Sequence, residues 1–222
     1  MADKLFLFDM DGILFDTMPH HVRSWKQVSD EYGIVAEEGE FYLYEGMRGV
    51  DTIRQLYERT FAKTPDVELV NEIYHRKTEI FNNDDFELVC IPGTRDVMSY
   101  LKSKGQEIAV VTGSTANNAY PRIEKHYADF ISLDHIITAE SVERGKPFPD
   151  PYLMGMELFG RKPEETIVIE NAPLGVKSGH DAGAFVIAVT TGPIEEYVLR
   201  EHGSDLVFAD MQALLVWCRR NI

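Results

Sequence analysis

The chain has 222 residues, 44% of them hydrophobic, with 22 Lys and Arg against 37 Asp and Glu for a net charge of −15. That length supports one full domain plus a smaller one and the burial of a real core. The charge balance excludes the basic face of a nucleic-acid binder, and no apolar run approaches the roughly 20 residues needed to cross a bilayer. Any anionic ligand must be drawn in by locally placed cations against the long-range field. The first residues are acidic and lack a basic-then-apolar leader, so no signal peptide is expected and the cytoplasm is the expected compartment. Cys90 and Cys218 stand in no metal-binding or redox spacing, which predicts two reduced structural thiols.

Taken in order, Leu5-Phe6-Leu7-Phe8 predicts a buried strand that ends abruptly at Asp9-Met10-Asp11-Gly12. No second buried strand follows until Ile108–Thr112, and the stretch between reads as helical. Met18, His21, Val22, Trp25, Val28 and Tyr32 recur at helical spacing, with a stop at Gly33. Ile53, Leu56, Tyr57 and Phe61 mark a second helix beginning near Asp51 or Thr52. Val67, Val70, Ile73, Tyr74, Lys77 and Phe81 mark a third. From Pro92 onward, strands and helices alternate. Helices are predicted after Gly93, over 116–127, from Asp150 as N-cap with Pro151 first, over 173–182, 194–201 and 211–220. Strands are predicted at 135–138, 167–169, 185–189 and 206–208. This order predicts an α/β fold, a doubly wound parallel sheet with an inserted helical cap.

Ligands of such sheets bind beyond the carboxyl ends of the strands. Those ends carry Asp9 and Asp11, Thr112-Gly113-Ser114 and Glu170-Asn171, while Lys146 sits in the loop Gly145–Pro149. Two carboxylates one residue apart at a strand end point to the same side and need a cation. A hard ion such as Mg²⁺ suits them, since it takes oxygen ligands and keeps waters for a phosphate oxygen. One carboxylate can then attack phosphorus while the other moves a proton. Lys146 can neutralise phosphoryl oxygens, and Thr112, Ser114 and the Gly113 backbone can grip a phosphate. Each group alone would more often be a solvated acid pair, an ordinary turn or an exposed lysine; their occurrence together, in order, at successive strand ends is the specific signal.

Asp9-Met10-Asp11-Gly12-Ile13-Leu14-Phe15-Asp16-Thr17, Val111-Thr112-Gly113-Ser114, Lys146-Pro147 and Ile169-Glu170-Asn171-Ala172-Pro173-Leu174-Gly175-Val176 resemble the four motifs of the haloacid dehalogenase superfamily, across essentially the whole chain. The helical insert resembles the small cap of its β-phosphoglucomutase and phosphatase branch. The resemblance implies a core of residues 1–16 and 89–222, a cap of 17–88, and hinges near Asp16-Thr17 and 89–93. It implies Asp9 as the nucleophile that forms an aspartyl-phosphate and Asp11 as general acid/base. It also implies Mg²⁺ held by Asp9, the Asp11 carbonyl, Glu170 and Asn171. His21 with Trp25 matches the mutase pattern H-x-x-x-W, and Lys77 the cap lysine; His21 is otherwise a packed helix histidine.

Two departures bear on the substrate. Motif four usually supplies two acids, and here the second is Asn171. In Tyr44–Gly49, where mutases grip the distal phosphate of a bisphosphate, Glu45 stands where a lysine is expected and Gly49 where an arginine is expected. Arg48 or Arg54 are the candidate replacements. Glu45 is therefore read as a further metal-site group that restores the charge lost at Asn171; its bland reading is a solvated hinge-loop acid. The expectation is an Mg²⁺-dependent phosphohydrolase, monomeric, acting on a small phosphorylated metabolite or pyrophosphate. A β-phosphoglucomutase is the alternative, and a catalytically weak phosphometabolite-binding protein is a third reading. Schiff-base phosphonatase chemistry is disfavoured because no lysine lies between Glu45 and Arg59, and dehalogenation because of Asp11 and the T-G-S grip.

Overall fold

The computed structural model describes residues 4–84 and 86–222. Six parallel strands form one sheet: β1 (Leu5–Phe8), β2 (Glu107–Val111), β3 (Ile136–Ile137), β4 (Thr166–Glu170), β5 (Phe185–Val189) and β6 (Leu206–Phe208). Their spatial order is β3-β2-β1-β4-β5-β6. The chain winds one way from β1 through β3 and the other way from β4 through β6. The order therefore reverses between β1 and β4, where Phe8 pairs with Val110 on one side and Ile169 on the other. That switch point opens a crevice at the carboxyl ends of β1, β2 and β4.

β1 is fully buried because helices cover both faces of the sheet, which explains a strand without polar alternation. Alternate residues of β1 enter different cores. Phe6 and Phe8 join one apolar cluster with Met98, Leu101, Tyr127 and Leu214, while Leu5 and Leu7 join the opposite one with Tyr152, Met156 and Val176. A third cluster lies wholly in the helical insert, which comprises α1 (Met18–Glu31), α2 (Glu40–Leu43), α3 (Gly49–Phe61) and α4 (Val67–Asn83). The two chain crossings between insert and sheet are tied side by side: Asp16 N donates to Val89 O at 2.9 Å and Ile91 N to Leu14 O at 2.9 Å.

The remaining helices are α5 (Thr94–Ser103), α6 (Ala116–Tyr127), α7 (Asp150–Leu158), α8 (Pro173–Asp181), α9 (Glu196–Glu201) and α10 (Met211–Asn221). The sequence pattern missed the short α2, which has no room for a repeated apolar face. It also set α3 two residues late. At α7, Asp150 is the first helical residue and Pro149 the cap, because the Asp150 carboxylate is taken by Arg144 at 2.9 and 3.0 Å. Both cysteines are free. Among the described residues, no helix is long and apolar enough to cross a membrane.

Candidate active site

Each motif reaches the crevice because a strand ends beneath it. Asp9 follows β1, Thr112 follows β2, and Glu170 closes β4 with Asn171 next to it. Gly12 turns the chain back with φ +82°, and a Cβ there would come within 2.1 Å of Asn171 Nδ2 and 2.7 Å of Glu45 Oε1. Only glycine tolerates both the conformation and the crowding.

Lys146 lies at the floor of the site, buried, donating to Asp9 Oδ1 at 2.6 Å, Glu170 Oε1 at 2.7 Å and Val111 O at 3.1 Å. Glu170 is filled by protein donors: Tyr152 also donates to its Oε1 at 2.9 Å, and the Asn171 and Ala172 amides donate to its Oε2 at 2.9 and 3.1 Å. Two carboxylates thus share one lysine. Burial pushes the Asp9 carboxyl upward, aided by Glu170 and Asp11 and opposed by Lys146.

The insert delivers Glu45 to this end of the site. Its carboxylate is buried and accepts from Asn171 Nδ2 at 2.8 Å. Burial raises its proton affinity well above the usual carboxylate range, and the neighbouring Asp9, Glu170 and Asp11 add to the rise. Asp9 Oδ2 and Asn171 Oδ1 are buried without any protein partner. An unpartnered buried amide oxygen on Asn171 beside a crowd of carboxyls suits a hard cation, so the residues present fit Mg²⁺, and Asp9 Oδ2 stays free of protein partners. Among the described residues no three His, Cys, Asp or Glu side chains gather into a ready-made cluster. The fit therefore relies on the Asn171 amide oxygen.

Asp11 is held differently. The Thr17 hydroxyl donates to its Oδ1, although Thr17 stands at the N-cap of α1 where such a side chain ordinarily caps the helix. Ser114 Oγ donates to Oδ2 at 3.3 Å, and His21 Nε2 lies 3.4 Å from Oδ1, outside hydrogen-bond geometry. Burial alone would raise Asp11; His21, Arg122 and Thr17 outweigh it and hold the carboxyl well below its usual range. Asp11 is therefore ionised at neutral pH.

Beyond Asp11 the charge changes sign. Lys77 Nζ lies 2.7 Å from His21 Nδ1 and over the rings of Trp25 and Phe81, at 5.0 and 4.8 Å from their centroids. Burial pushes the Lys77 ammonium down to about 7 and the His21 imidazolium down to about 4. His21 is thus neutral at pH 7, while Lys77 keeps its proton below about 7 and loses it above. Binding of sulfate, dianionic throughout, is expected to weaken between pH 6 and 8.5. Lys77→Met is expected to bind more weakly at pH 6 and to show a flatter profile. Titration calorimetry of both proteins over that range checks this, and parallel profiles would rule it out.

Asp9, Asp11, His21, Glu45, Lys77, Thr112, Gly113 and Ser114 all line one cleft of about 60 Å³, as the sequence pattern expects. Arg48 does not. It bonds Asp51 at 2.7 Å and the Val142 carbonyl at 3.2 Å on the seam between insert and sheet, and Arg54 also pairs with Asp51, at 3.3 Å. The expected substrate contact of Arg48 is corrected accordingly: its guanidinium is spent on holding the insert down. Gly49 has a local reason as well, since a Cβ there would meet the Tyr74 ring at 2.2 Å. Tyr74 occupies the space an arginine would need.

Sequence reasoning missed Thr17, Tyr74, Tyr152 and Arg122. For Arg122 a signal existed: Ser114, Asn118 and Arg122 recur every four residues, which puts them on one face at and along α6.

Residues 6–189 match the model of the haloacid dehalogenase-like hydrolase family. The chain belongs to that family. It is 33% identical over 221 residues to hexitol phosphatase A of Escherichia coli K12, covering 100% of this chain and 97% of the relative. It is 29% identical to a β-phosphoglucomutase of Mycobacterium bovis, covering 94% and 90%. A solved structure of a candidate β-phosphoglucomutase from Bacteroides vulgatus superposes with TM-score 0.93 at 39% identity, covering 98% and 88%. This haloacid dehalogenase-like chain is thus an enzyme of the phosphatase and phosphotransferase type. The names of its relatives fall on both sides of the hydrolase–mutase divide, so the choice rests on the residues of the cleft.

Proposed function

We propose that the protein is an Mg²⁺-dependent phosphohydrolase that forms an aspartyl-phosphate on Asp9 and acts on a small phosphorylated compound, with pyrophosphate the best fit. The observation that carries this reading is Glu45. A buried carboxyl against Asn171 takes the position in the loop where the resemblance expects a phosphate-gripping lysine, and the neighbouring Gly49 and Arg48 offer the cleft no cation from that loop.

When bound, the metal would be held by Asp9, the Asp11 carbonyl, Asn171 and Glu45, and would supply charge neutralisation for the phosphoryl oxygens. Glu170, expected among the metal ligands, has both oxygens taken by Lys146, Tyr152 and two backbone amides, so in this reading it fixes Lys146 and the motif-four backbone instead. Asp9 Oδ1 is held by Lys146, so Oδ2 faces the phosphorus. The Oδ2–P bond forms as the bond to the leaving oxygen breaks, and the leaving group takes the electron pair. Water then attacks phosphorus, Asp11 accepts its proton, and the Oδ2–P bond breaks to free phosphate and Asp9. An ionised Asp11 is a poor proton donor to an alkoxide but needs to give nothing to a departing phosphate, whose own second pKa is near 6. The residues 17–88 act as the closing domain, hinged at the paired crossings, so that water is excluded in the first step and admitted in the second.

Phosphorus NMR time courses with pyrophosphate, phosphomonoesters and β-glucose 1-phosphate primed with glucose 1,6-bisphosphate test the reading. Mg²⁺-dependent release of free phosphate, fastest from pyrophosphate, is expected; conversion of glucose 1-phosphate to glucose 6-phosphate without free phosphate would make the protein a mutase. Glu45→Ala is expected to raise the Mg²⁺ concentration needed for half-maximal turnover about 10- to 100-fold, the scale seen when a metal's supporting group is lost.

A further inference from the structure

Arg122 has no place in the chemistry just described, yet it is built into the cleft. It projects from α6 and lines the cavity with Lys77, Asn118 and Tyr74. Its guanidinium carbon lies 4.8 Å from the Phe81 ring centroid, on the ring that Lys77 also approaches at 4.8 Å. One terminal nitrogen, Nη1, is buried without a hydrogen-bond partner. The counter-charge it feels is Asp11, which accepts instead from Thr17 and Ser114 and makes no hydrogen bond to Arg122.

A partly buried guanidinium cannot escape its charge by losing a proton, and a buried nitrogen without a partner is costly. A lysine could neutralise itself in such surroundings, as Lys77 partly does; an arginine stays charged. Other arginines of the cap seam, such as Arg48 and Arg54, are tied to Asp51. The unused fork of Arg122 is therefore aimed at something that enters the cleft. Its planar donors match the paired oxygens of a phosphate or carboxylate. Asp9 and Arg122 line the same cleft, and Asp11 lies close enough to Arg122 for their charges to interact, so a leaving group on the Asp11 side of a phosphoryl group at Asp9 comes toward this end.

We propose that Arg122, with Lys77, forms an oxyanion subsite for the leaving group, so that the enzyme selects phosphate compounds whose leaving group is itself a small oxyanion. This deepens the phosphohydrolase reading and rests on it for the direction of the leaving group.

The test compares two variants, Arg122→Met, which keeps packing over Phe81 and loses the charge, and Arg122→Lys, which keeps charge and loses the fork. Calorimetry measures binding of methylenediphosphonate, with two phosphonates, against methylphosphonate, with one, at fixed Mg²⁺. The preference for the doubly charged probe is expected to fall about 10- to 100-fold in Arg122→Met, the loss of one charge-assisted pair, and to be partly restored in Arg122→Lys. An unchanged preference, or equal weakening of both probes, would overturn the subsite and leave Arg122 as a clamp on the closed insert. Turnover separates the two readings. If the native protein hydrolyses nothing, the functional reading falls while the binding preference still decides the subsite. If it hydrolyses glycerol phosphate as fast as pyrophosphate, and Arg122→Met slows both alike, the subsite falls while the phosphohydrolase stands.

Discussion

Asp9→Asn is expected to abolish turnover of every phosphate compound while leaving the metal-free protein at least as stable as the native chain. An amide oxygen does not attack phosphorus, so no covalent intermediate forms, and loss to the uncatalysed background is the outcome. Stability follows from the shared lysine. Asp9 and Glu170 both lean on Lys146, so the second negative charge has no full counter-ion in the protein alone. The folded Asp9 carboxyl is accordingly raised above its unfolded value of 3.8. A raised carboxyl binds more protons in the folded than in the unfolded state, so it favours folding at low pH. That contribution drains away as pH climbs above about 4 toward the folded pKa. Removing the titrating group removes the loss. In chelator, the melting temperature of the native protein is expected to fall from pH 5 to pH 8 by more than that of Asp9→Asn. The variant is expected to gain about 1–2 kcal/mol at pH 8, or roughly 2–8 °C for a chain of this size. Scanning calorimetry at both pH values decides it; a variant that melts lower at pH 8 would show that Lys146 and Asp9 form a net stabilising pair.

Much of this was readable in the residues because the core strands are short, buried and end on chemistry. Glu107–Val111 and Thr166–Glu170 announce themselves as apolar runs with no alternation, since both sheet faces are covered, and each run stops at a hydroxyl or acid facing the crevice. The sequence pattern gives Lys146 to phosphoryl neutralisation and to holding the nucleophile, without any view of Glu170. Its second carboxylate partner and Tyr152 come from elements packed by the sheet, which no local pattern records. The helical insert was legible as helices and illegible as a surface. Periodicity tells which face of α4 is apolar, and Lys77 falls on it, but not that Tyr74 turns against Gly49 or that α6 aims Arg122 at Phe81. Arg48 shows the limit plainly. A cation in a phosphate-gripping loop is an anion site by composition, until the fold sets Asp51 one turn away and a carbonyl of the core loop within reach.

Lys146→Met is expected to cost both activity and fold, in contrast to Asp9→Asn. The substitution keeps the volume in a site with almost no solvent and removes the one ammonium that Asp9 and Glu170 contact among the described residues. Breaking a buried pair from one side typically costs about 3–5 kcal/mol, which for a chain of this size lowers the melting temperature by roughly 6–20 °C. The deficit should shrink on acidification, because protonated carboxyls no longer need the lysine. Turnover should fall about 100- to 1,000-fold or more, as for loss of one preorganised donor to the reacting oxygens. The double variants locate the damage. Asp9→Asn with Lys146→Met removes one orphaned charge and leaves Glu170 with Tyr152 and two backbone amides, so part of the stability should return without activity. Glu170→Gln with Lys146→Met should recover less. A glutamine offers one acceptor oxygen where Glu170 uses two, so its amide group must face either the Tyr152 hydroxyl or the Asn171 and Ala172 donors. Equal recovery in both double variants would mean that charge alone, and not the hydrogen-bonded seat of Glu170, sets the stability of this floor.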